Sequence, residues 1–231
     1  MSRERIDVNE VYPYVNGSAT TPTGLSLYEF GGSEKHVRRS HRRFIRYFRS
    51  CRLVLDLGCG RGSFMNLLQE SGVACVGVDS SPSSLDACKR RGLDAVELAD
   101  ATSYLRRHPD TFEGIFCSHL IEHMEPQQAA ALLDSSLLAL RPGGVAIFVT
   151  PNAADLEVVA GRFWLDTTHV RLYPSELLLS MMRNSGFGNL EVGTFGIVTR
   201  QGLMRRVVLS LLLGKHYGHP NAYVIGRKAI G

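Results

Sequence analysis

Two histidines and a glutamate stand close together in the middle of the chain, in the string His119-x-x-Glu122-His123. Within a helix, this spacing is a zinc-binding signature of one class of metalloprotease. Outside a helix, the same residues could move a proton, because histidine titrates near neutral pH. The choice between these two chemistries depends on the elements that carry the string.

Apolar strands and helical patterns alternate along most of the chain. The predicted strands are 52–57, 74–79, 93–98, 112–118, 145–150, 189–198 and 221–228. Short connections between such elements predict an α/β fold, a Rossmann-like, doubly wound and mostly parallel sheet of seven strands. The H-x-x-E-H string then begins in the loop after the fourth strand, which argues against the zinc protease.

The chain is long enough for one large domain. It has 231 residues, of which 44% are hydrophobic and 21% charged, as in soluble globular proteins. We expect a single domain over residues 1–231. It divides into an N-terminal arm with a basic helix (1–50), a core (51–195), and a C-terminal helix with the last strand (196–231).

Positive charge is concentrated before the first strand. Residues 34–50 contain seven Lys or Arg and one Glu, although the net charge of the whole chain is only +4. They predict a helix over about 34–48 whose apolar face carries Val37, His41, Phe44, Ile45 and Phe48. The arginines form either a solvated face or a surface that attracts an anionic acceptor. Because no RNA-recognition motif accompanies them, no nucleic-acid partner is expected.

The remaining composition predicts a cytoplasmic protein. The five cysteines contain no C-x-x-C pair and are interpreted as reduced core residues. The N-terminus MSRERIDVNE has no apolar stretch typical of a signal peptide, and no run reaches the roughly 18–20 apolar residues of a membrane span. An apolar stripe over 202–214 packs on the sheet or a second subunit, or else lies on a membrane surface.

Glycines and acids recur at the ends of the first three predicted strands. They are Asp56, Gly58, Gly60 and Gly62 after the first strand, Asp79 after the second, and Asp100 with Ala101 after the third. Glycines let the backbone approach a ligand, and carboxylates there could bind a ribose diol and an adenine amino group. Each acid alone could instead cap a helix or a turn. Together they predict a nucleoside site.

These segments, in order, resemble the motifs of class I S-adenosylmethionine-dependent methyltransferases. The motifs are VLDLGCGRGSF (54–64), GVDSSPSSLD (77–86), ELADA (97–101), FEGIFCSHLIEHM (112–124) and LRPGGVAIFVTPN (140–152). The resemblance implies S-adenosylmethionine as cofactor. The glycines would line its methionine and ribose, Asp79 would bind the ribose hydroxyls, and Asp100 with Ala101 would hold adenine. Asp56 would orient the methionine amino group through water, and Ser118 would complete this site.

In that resemblance, the loop after the fourth strand faces the transferred methyl group. The enzyme must place an acceptor atom about 3 Å from the methyl carbon and remove its proton. His123 or His119 is the expected base. Amino-group methyltransferases of nucleic acids often carry N/D-P-P-Y here, whereas this chain has Ser118-His119-Leu120-Ile121, which favours an oxygen acceptor.

The same loop resembles the E-x-x-E-H string of the quinol O-methyltransferases of the ubiquinone pathway, which has been linked to a divalent metal. The resemblance implies Mg²⁺ held by His119, Glu122 and His123, since imidazole and carboxylate both ligate metals. Such a metal would lower the pKa of a bound hydroxyl. Alternatively, Glu122 caps the following helix and one histidine packs against the cofactor.

The acceptor prediction depends on two further segments. FWLDTTHVRLYPSELLLSMMRNSGF (163–187) and FGGSEKHVRRSHRRFIRYF (30–48) resemble strings of methyltransferases from bacterial O-antigen and capsule clusters, although Thr167 and Leu172 replace prolines. The resemblance places four residues near the acceptor mouth, namely Trp164, Asp166, His169 and Arg171. Alternatively, Trp164 is a hydrophobic lid and Asp166 pairs with Arg171 to order the loop.

Together these features predict a methyltransferase that acts on a hydroxyl of a saccharide or polysaccharide precursor. The first alternative is an O-methyltransferase of a quinol or other phenol. The second is a non-catalytic, S-adenosylmethionine-binding module on nucleic acid. A homo-oligomer is compatible with the sequence, which identifies neither the sugar nor its methylated position.

Overall fold

The computed structural model describes residues 34–196, 208, 211–212 and 219–230. Within them, seven strands form one sheet in the order β3-β2-β1-β4-β5-β7-β6. The strands are β1 (Leu53–Leu57), β2 (Ala74–Asp79), β3 (Val96–Leu98), β4 (Phe112–Ser118), β5 (Leu140–Pro151), β6 (Gly188–Phe195) and β7 (Asn221–Arg227). Strands β1 to β5 are parallel, and β7 runs antiparallel between β5 and β6. The predicted Rossmann-like sheet is confirmed.

Helices cover both faces of this sheet. They are α1 (Glu34–His41), α2 (Ser63–Glu70), α3 (Pro82–Lys89), α4 (Ala101–Arg106), α5 (Pro126–Ala139), α6 (Leu156–Ala160) and α7 (Ser175–Ser185). Short 3₁₀ helices span Arg42–Tyr47, Ile121–His123 and Arg162–Leu165. One hydrophobic core joins one face of the sheet to α4, α5 and α7. A second core joins the opposite face to the first 3₁₀ helix and α2.

The strand order reverses between β1 and β4. Chain connections leave to opposite sides there, so a crevice opens at the carboxyl ends of these strands. The crevice collects the glycine loop from β1 and the H-x-x-E-H loop from β4. The fold therefore brings together the two motifs that the sequence singles out.

The basic helix is shorter than the sequence predicts. The α-helix ends at His41, and a 3₁₀ helix continues to Tyr47. In a 3₁₀ helix, residues three apart lie above one another, so Ile45 lines up with Phe48 at its C-cap and both enter the core. The α-helical spacing assumed for 34–48 applies only to its first half.

Three other element boundaries also differ from prediction. Strand β3 starts at Val96 rather than at residue 93. The N–H of Leu93 instead donates to the Cys88 carbonyl in the turn after α3. Helix α4 was not predicted; it is short and is capped by the Asp100 side chain. Strand β5 begins at Leu140 rather than at residue 145, so the stretch Arg141–Gly144 also lies within the strand.

Part of the positive charge on α1 is paired within the fold. The guanidinium of Arg91 in the loop after α3 binds the Glu34 carboxylate through contacts of 2.6 Å, and Arg38 lies 2.6 Å from Glu70 of α2. These ion pairs fix α1 across α2 and the end of α3. The basic segment therefore has a structural role in closing this side of the sheet.

The two ends of the chain lie largely outside the described residues. These include the predicted arm over 1–33 and most of the apolar stripe over 202–214; Val208, Leu211 and Leu212 of the stripe are helical and exposed. Among the residues that are described, no helix combines the length and apolar character that crossing a membrane requires.

Candidate active site

The glycine loop after β1 is tied to the end of β2. Gly58 and Gly60 both have positive φ, 67° and 53°, so the loop needs residues without a Cβ. The Asp79 carboxylate accepts the backbone N–H of Gly60 and that of Ser81, each at 2.9 Å. A carboxylate has further lone pairs, so Asp79 can order the loop and still accept from a ribose diol.

Gly62 serves packing rather than ligand approach. It caps α2 with φ of 74°, and a Cβ at this position would collide with the side chain of Leu93 and crowd Cys88. Both neighbours belong to the elements around α3. Gly62 therefore shapes the loop from behind, whereas Gly58 faces Leu120 in the loop after β4.

Asp56 is a buried acid at the base of the crevice. It is only 3% exposed, and its Oδ2 has no hydrogen-bond partner among the described residues. Burial raises the pKa of Asp56 well above its usual range, with further contributions from Cys88 and Asp79. A cationic group brought next to Oδ2 would restore the carboxylate, so Asp56 fits the ammonium group of a bound S-adenosylmethionine.

The third acid also has a structural role. Oδ1 of Asp100 accepts the backbone N–H of Ser103 at 2.8 Å and caps α4, while Ala101 begins that helix and is 9% exposed. This confirms the alternative that Asp100 is a helix cap. Its second oxygen, Oδ2, can still accept a hydrogen bond from an adenine amino group, so helix capping and cofactor binding are compatible.

The loop after β4 turns sharply at His119. His119 has φ of 55°, a left-handed conformation that is uncommon outside glycine and is frequent at functional sites. Its Nδ1 lies 2.9 Å from Oε1 of Glu122, which has no exposed surface and whose Oε2 also accepts from Thr150 Oγ1 at 3.3 Å. The His119 side chain is 41% exposed, so a buried carboxylate orients an accessible imidazole.

This pair shifts both pKa values. Burial works against a charge on His119, but the hydrogen bond to Glu122 and its charge, with a hydrogen bond that the ring donates to Asn221, together outweigh it and raise the pKa of His119. Burial likewise works against ionisation of Glu122, but the hydrogen bond and charge of His119 lower the pKa of Glu122. Both directions favour an imidazolium–carboxylate pair.

His123 faces a different partner. Its Nδ1 lies 3.1 Å from the Thr168 carbonyl, and its ring lies 4.8 Å from the ring of His169. Ligand atoms of Glu122, His123 and His169 all lie within 4.8 Å of one another. His119, which the sequence placed in the metal set with Glu122 and His123, lies outside this group. The structure brings in His169 from the acceptor segment.

The acceptor segment after β5 is fastened to the same loop. The Glu122 carbonyl accepts the N–H groups of Val170 and Arg171 at 2.8 and 3.1 Å, and the Tyr173 hydroxyl donates to the Met124 carbonyl at 2.8 Å. Motif and acceptor residues therefore form one unit rather than two mobile loops.

Within this segment, the four predicted acceptor residues differ in exposure and partners. Trp164 is 62% exposed, and its Nε1–H donates to the Val159 carbonyl, so the indole presents a face to solvent. Asp166 accepts from the Thr168 hydroxyl at 2.6 Å rather than pairing with Arg171, whose guanidinium lies 5.7 Å from the Tyr173 ring centre. The alternative of an Asp166–Arg171 ion pair is thus replaced by an Asp166–Thr168 turn.

A groove of about 420 Å³ lies between α4 and the first half of α5, and Asp100 and His123 both contribute to its wall. Its remaining lining residues are Thr102, Ser103, Arg106, Met124, Gln128 and Ala131. The adenine acid and the H-x-x-E-H loop are therefore reached from one opening.

His41 borders the site, although its sequence position predicts only a place on the apolar face of the basic helix. The ring of His41 is 7% exposed, and its Nε2 lies 3.2 Å from the Ser118 hydroxyl at the end of β4. The available sign was a histidine on the otherwise apolar face of a helix, next to Phe44. The contact with Ser118 joins residues 77 positions apart and could not be inferred from spacing.

Comparison with known proteins agrees with this geometry. A family model described as a methyltransferase domain matches residues 33–192. The crystal structure of a SAM-dependent methyltransferase from Archaeoglobus fulgidus superposes with a TM-score of 0.76 at 28% identity, covering 87% of this chain and 97% of that one.

Two curated relatives show the range of acceptors among similar proteins. The ubiquinone biosynthesis O-methyltransferase of Hydrogenovibrio crunogenus is 27% identical over 131 residues, 54% of this chain and 53% of that protein. The cypemycin N-terminal methyltransferase of a Streptomyces species is 33% identical over 113 residues, 48% and 46% of the two chains. The chain spans about half the length of these relatives.

Proposed function

Given that this chain belongs to the methyltransferase-domain family and is an S-adenosylmethionine-dependent enzyme, we propose that it methylates a hydroxyl group of a small quinol or other phenol. The observation that carries the proposal is the His119–Glu122 pair in the loop after β4. A buried carboxylate that orients an accessible imidazole is the arrangement by which enzymes remove a proton from a hydroxyl.

The comparisons move the preference away from the saccharide expected from the sequence. Several relatives of this chain are named as ubiquinone biosynthesis O-methyltransferases, and they lend support to a quinol acceptor. A saccharide remains the second candidate, supported by the exposed indole of Trp164, since aromatic faces stack well on sugar rings.

The cofactor supplies an electrophilic methyl group bound to a sulfonium. Asp79 and the glycine loop hold the ribose side, and Asp100 and Ala101 border the adenine side. Asp56 offers its unpaired oxygen to the ammonium group at the other end. Held by these residues, the cofactor would present its methyl group for an in-line displacement, with the loop that carries His119 on the acceptor side.

His119 is the better candidate for the base. Its Nδ1 is held by Glu122, so the imidazole keeps one orientation. The raised pKa makes the neutral ring a stronger base, and that ring is the active form once the pH exceeds this pKa. Because a phenol ionises near pH ~10, this base has much less work to do than with a sugar hydroxyl. His123, the other candidate from the sequence, is instead bonded to the Thr168 carbonyl.

A divalent cation fits a second position in the same loop. Glu122, His123 and His169 would hold it, and the chemistry it supplies is a lower pKa for a coordinated hydroxyl. The Nδ1 atoms of the two histidines contact carbonyls, at 3.1 Å for His123 and 2.6 Å for His169, so Nε2 is the ligand atom of each. Nε2 of His169 also lies 3.9 Å from Oδ2 of Asp166, so a cation there would lie close to this carboxylate. Donors of this kind accept Mg²⁺, Mn²⁺ or Zn²⁺ with differing preference.

The test is methyl transfer from labelled S-adenosylmethionine to a panel of catechols and quinols, mono- and oligosaccharides, and amines. Each acceptor is assayed with magnesium and with EDTA. We expect label on phenolic oxygen. Label on saccharides alone would reject the proposal and support the second candidate, while label on amines alone would reject both.

The same assay addresses the non-catalytic alternative. If the protein were a nucleic-acid-binding module, it would bind nucleic acid in a salt-dependent manner and leave every acceptor unlabelled. Replacing Arg42 and Arg43 would then abolish binding. A His108→Ala variant is a control, because His108 stacks on Tyr104 at the end of α4, away from the H-x-x-E-H loop.

A further inference from the structure

An exposed apolar patch lies on the segment between β5 and α7. Leu156 and Val159 are three residues apart on α6, and 55% and 38% of their surfaces are exposed. Trp164 is 62% exposed, and its Nε1–H donates to the Val159 carbonyl at 2.8 Å, which fixes the indole beside α6. Large apolar side chains held next to one another in water mark an interaction surface, unlike single exposed residues scattered over a protein.

Positive charge borders this patch. Arg162 is exposed and lies in the 3₁₀ helix that also carries Trp164. Burial, followed by the charges of Arg162 and Arg39, lowers the pKa of His36, which places Arg162 next to α1. On α1, Lys35 and Arg39 are both exposed and stand four residues apart, so they share one side of the helix. The patch therefore has a cationic edge formed by two separate elements.

The acids of the same segment do not cancel this charge. Three acids lie between β5 and α7, and all three are described. Asp155 is buried and caps α6 by accepting the N–H groups of Glu157 and Val158. The Asp166 carboxylate accepts from the Thr168 hydroxyl within a turn. Of the three acids, Glu157 alone is exposed, so cations predominate at the edge of the patch.

We propose that this patch docks peripherally on a bilayer that carries anionic lipid headgroups. The indole and the two aliphatic side chains enter the interface, a depth at which tryptophan is favoured. The cations of the edge contact the anionic headgroups, which attract lysine and arginine near the surface. A second copy of this chain fits less well, because a two-fold contact would bring the same cationic edges towards each other.

A series of ring contacts connects the patch to the acceptor side of the site. The Phe163 ring meets the Trp164 ring edge-on, with centres 5.0 Å apart, and stacks on His169 at 4.4 Å. His169 in turn lies 4.8 Å from His123. Docking would therefore turn the acceptor side of the site towards the lipid surface. This consequence rests on the proposed role of the segment in acceptor binding, whereas the docking itself does not.

Trp164 is the single tryptophan of the chain and therefore reports on the patch directly. Its fluorescence is measured with vesicles of phosphatidylcholine alone, and with vesicles of phosphatidylcholine and phosphatidylglycerol in equal parts. With the anionic vesicles we expect emission at shorter wavelength and quenching by lipid brominated on its acyl chains, both reversed by high salt. The proposal is overturned if the emission does not change, or if the protein sediments with the vesicles while Trp164 stays unquenched.

Variants separate the patch from other apolar surfaces by cosedimentation with the anionic vesicles. Leu156→Ser should weaken binding at least about threefold, and Arg39→Gln roughly fivefold. Leu138→Ser is the matched control, because Leu138 is 46% exposed near the end of α5 and should not affect binding. Equal losses in Leu156→Ser and Leu138→Ser would overturn the proposal, as would a loss confined to Leu211→Ser.

Sedimentation velocity without lipid tests the rival occupant. We expect no change of oligomeric state with concentration that also shifts the Trp164 emission to shorter wavelength. Self-association that buries Trp164, and that Leu156→Ser prevents, would mean that a second copy of the chain covers the patch, and would overturn the proposal.

Discussion

Glu122 and His119 form a hydrogen-bonded pair, Nδ1 to Oε1 at 2.9 Å, in which the carboxylate is fully buried and the imidazole is 41% exposed. Because the pKa of His119 is raised, protonation of its ring stabilises the fold. This contribution is complete below the ordinary histidine pKa of 6.5 and is lost as pH rises through the folded-state pKa. Because the pKa of Glu122 is lowered, its ionised carboxylate stabilises the fold above pH 4.5, and this contribution is lost as pH falls through the folded-state pKa. The pair is therefore most stabilising between these two values.

Replacing Glu122 by Gln should lower the pKa of His119. The substitution keeps a hydrogen-bonding group but removes the negative charge that favours the imidazolium. NMR titration of the His119 ring should show its midpoint at a lower pH than in the wild type. The rise of kcat/KM with pH should shift in the same direction. An unchanged midpoint would mean that Glu122 does not control His119.

Cation binding should depend more on His169 than on His119. Because Glu122, His123 and His169 converge and His119 does not, His169→Gln should weaken binding of Mn²⁺ at least tenfold, as expected for loss of a ligand. His119→Gln changes only a neighbour that hydrogen-bonds Glu122, so its loss should be smaller. Electron paramagnetic resonance of free and bound Mn²⁺ measures this without any acceptor. Equal loss in both variants, or no binding by the wild type, would reject this cation site.

Asp56→Asn should stabilise the free protein and weaken cofactor binding. The raised pKa of Asp56 means that its ionisation costs stability as pH rises from 3.8 through the folded-state pKa. Asparagine avoids that cost, so the variant should melt a few degrees higher at pH 7, at about 2–4 °C per kcal/mol. The difference should shrink as pH falls towards 3.8. A lower melting temperature at pH 7 would contradict the buried-acid account.

Gly62→Ala should destabilise the fold more than Gly92→Ala. Both glycines have positive φ, but a Cβ at Gly62 collides with Leu93, whereas one at Gly92 meets nothing within 4 Å. We expect a loss of about 2–4 kcal/mol at Gly62, from overpacking plus backbone strain, and about 1 kcal/mol at Gly92. Urea unfolding measures both. Similar losses would show that conformation alone requires glycine at residue 62.

The order of elements and the cofactor residues follow from local sequence. Apolar runs and helical spacing predict the strands, and the ends of parallel strands meet at one edge, so Asp56, Asp79 and Asp100 lie at neighbouring strand ends as expected. Their contacts with the cofactor stay a prediction. Element boundaries are less predictable, because they depend on partners far away in sequence. Leu93 ends up in the core against Gly62, and Asp100 caps a helix too short to show a periodic pattern.

The acceptor side of the site depends on long-range contacts and was less predictable. His169 approaches Glu122 because the acceptor segment is fastened to the Glu122 carbonyl. His41 reaches Ser118 because α1 is fixed by ion pairs to Glu70 and Arg91. The spacing of residues within one motif cannot predict either of these contacts between distant segments. For this reason, the sequence predicts metal ligands only within the H-x-x-E-H string and does not include His169.

The most direct test of the proposed chemistry is the rate of methyl transfer to a series of phenols of decreasing pKa, by the wild type, His119→Gln and His123→Gln. Loss of a general base costs roughly a hundredfold or more. We predict that His119→Gln loses this much of the methyl-transfer rate with phenols that ionise near pH ~10. With nitrophenols that are already ionised at the assay pH, the rate should fall much less. A loss that is the same across the series, or that follows His123 instead, would contradict the assignment of His119 as the base.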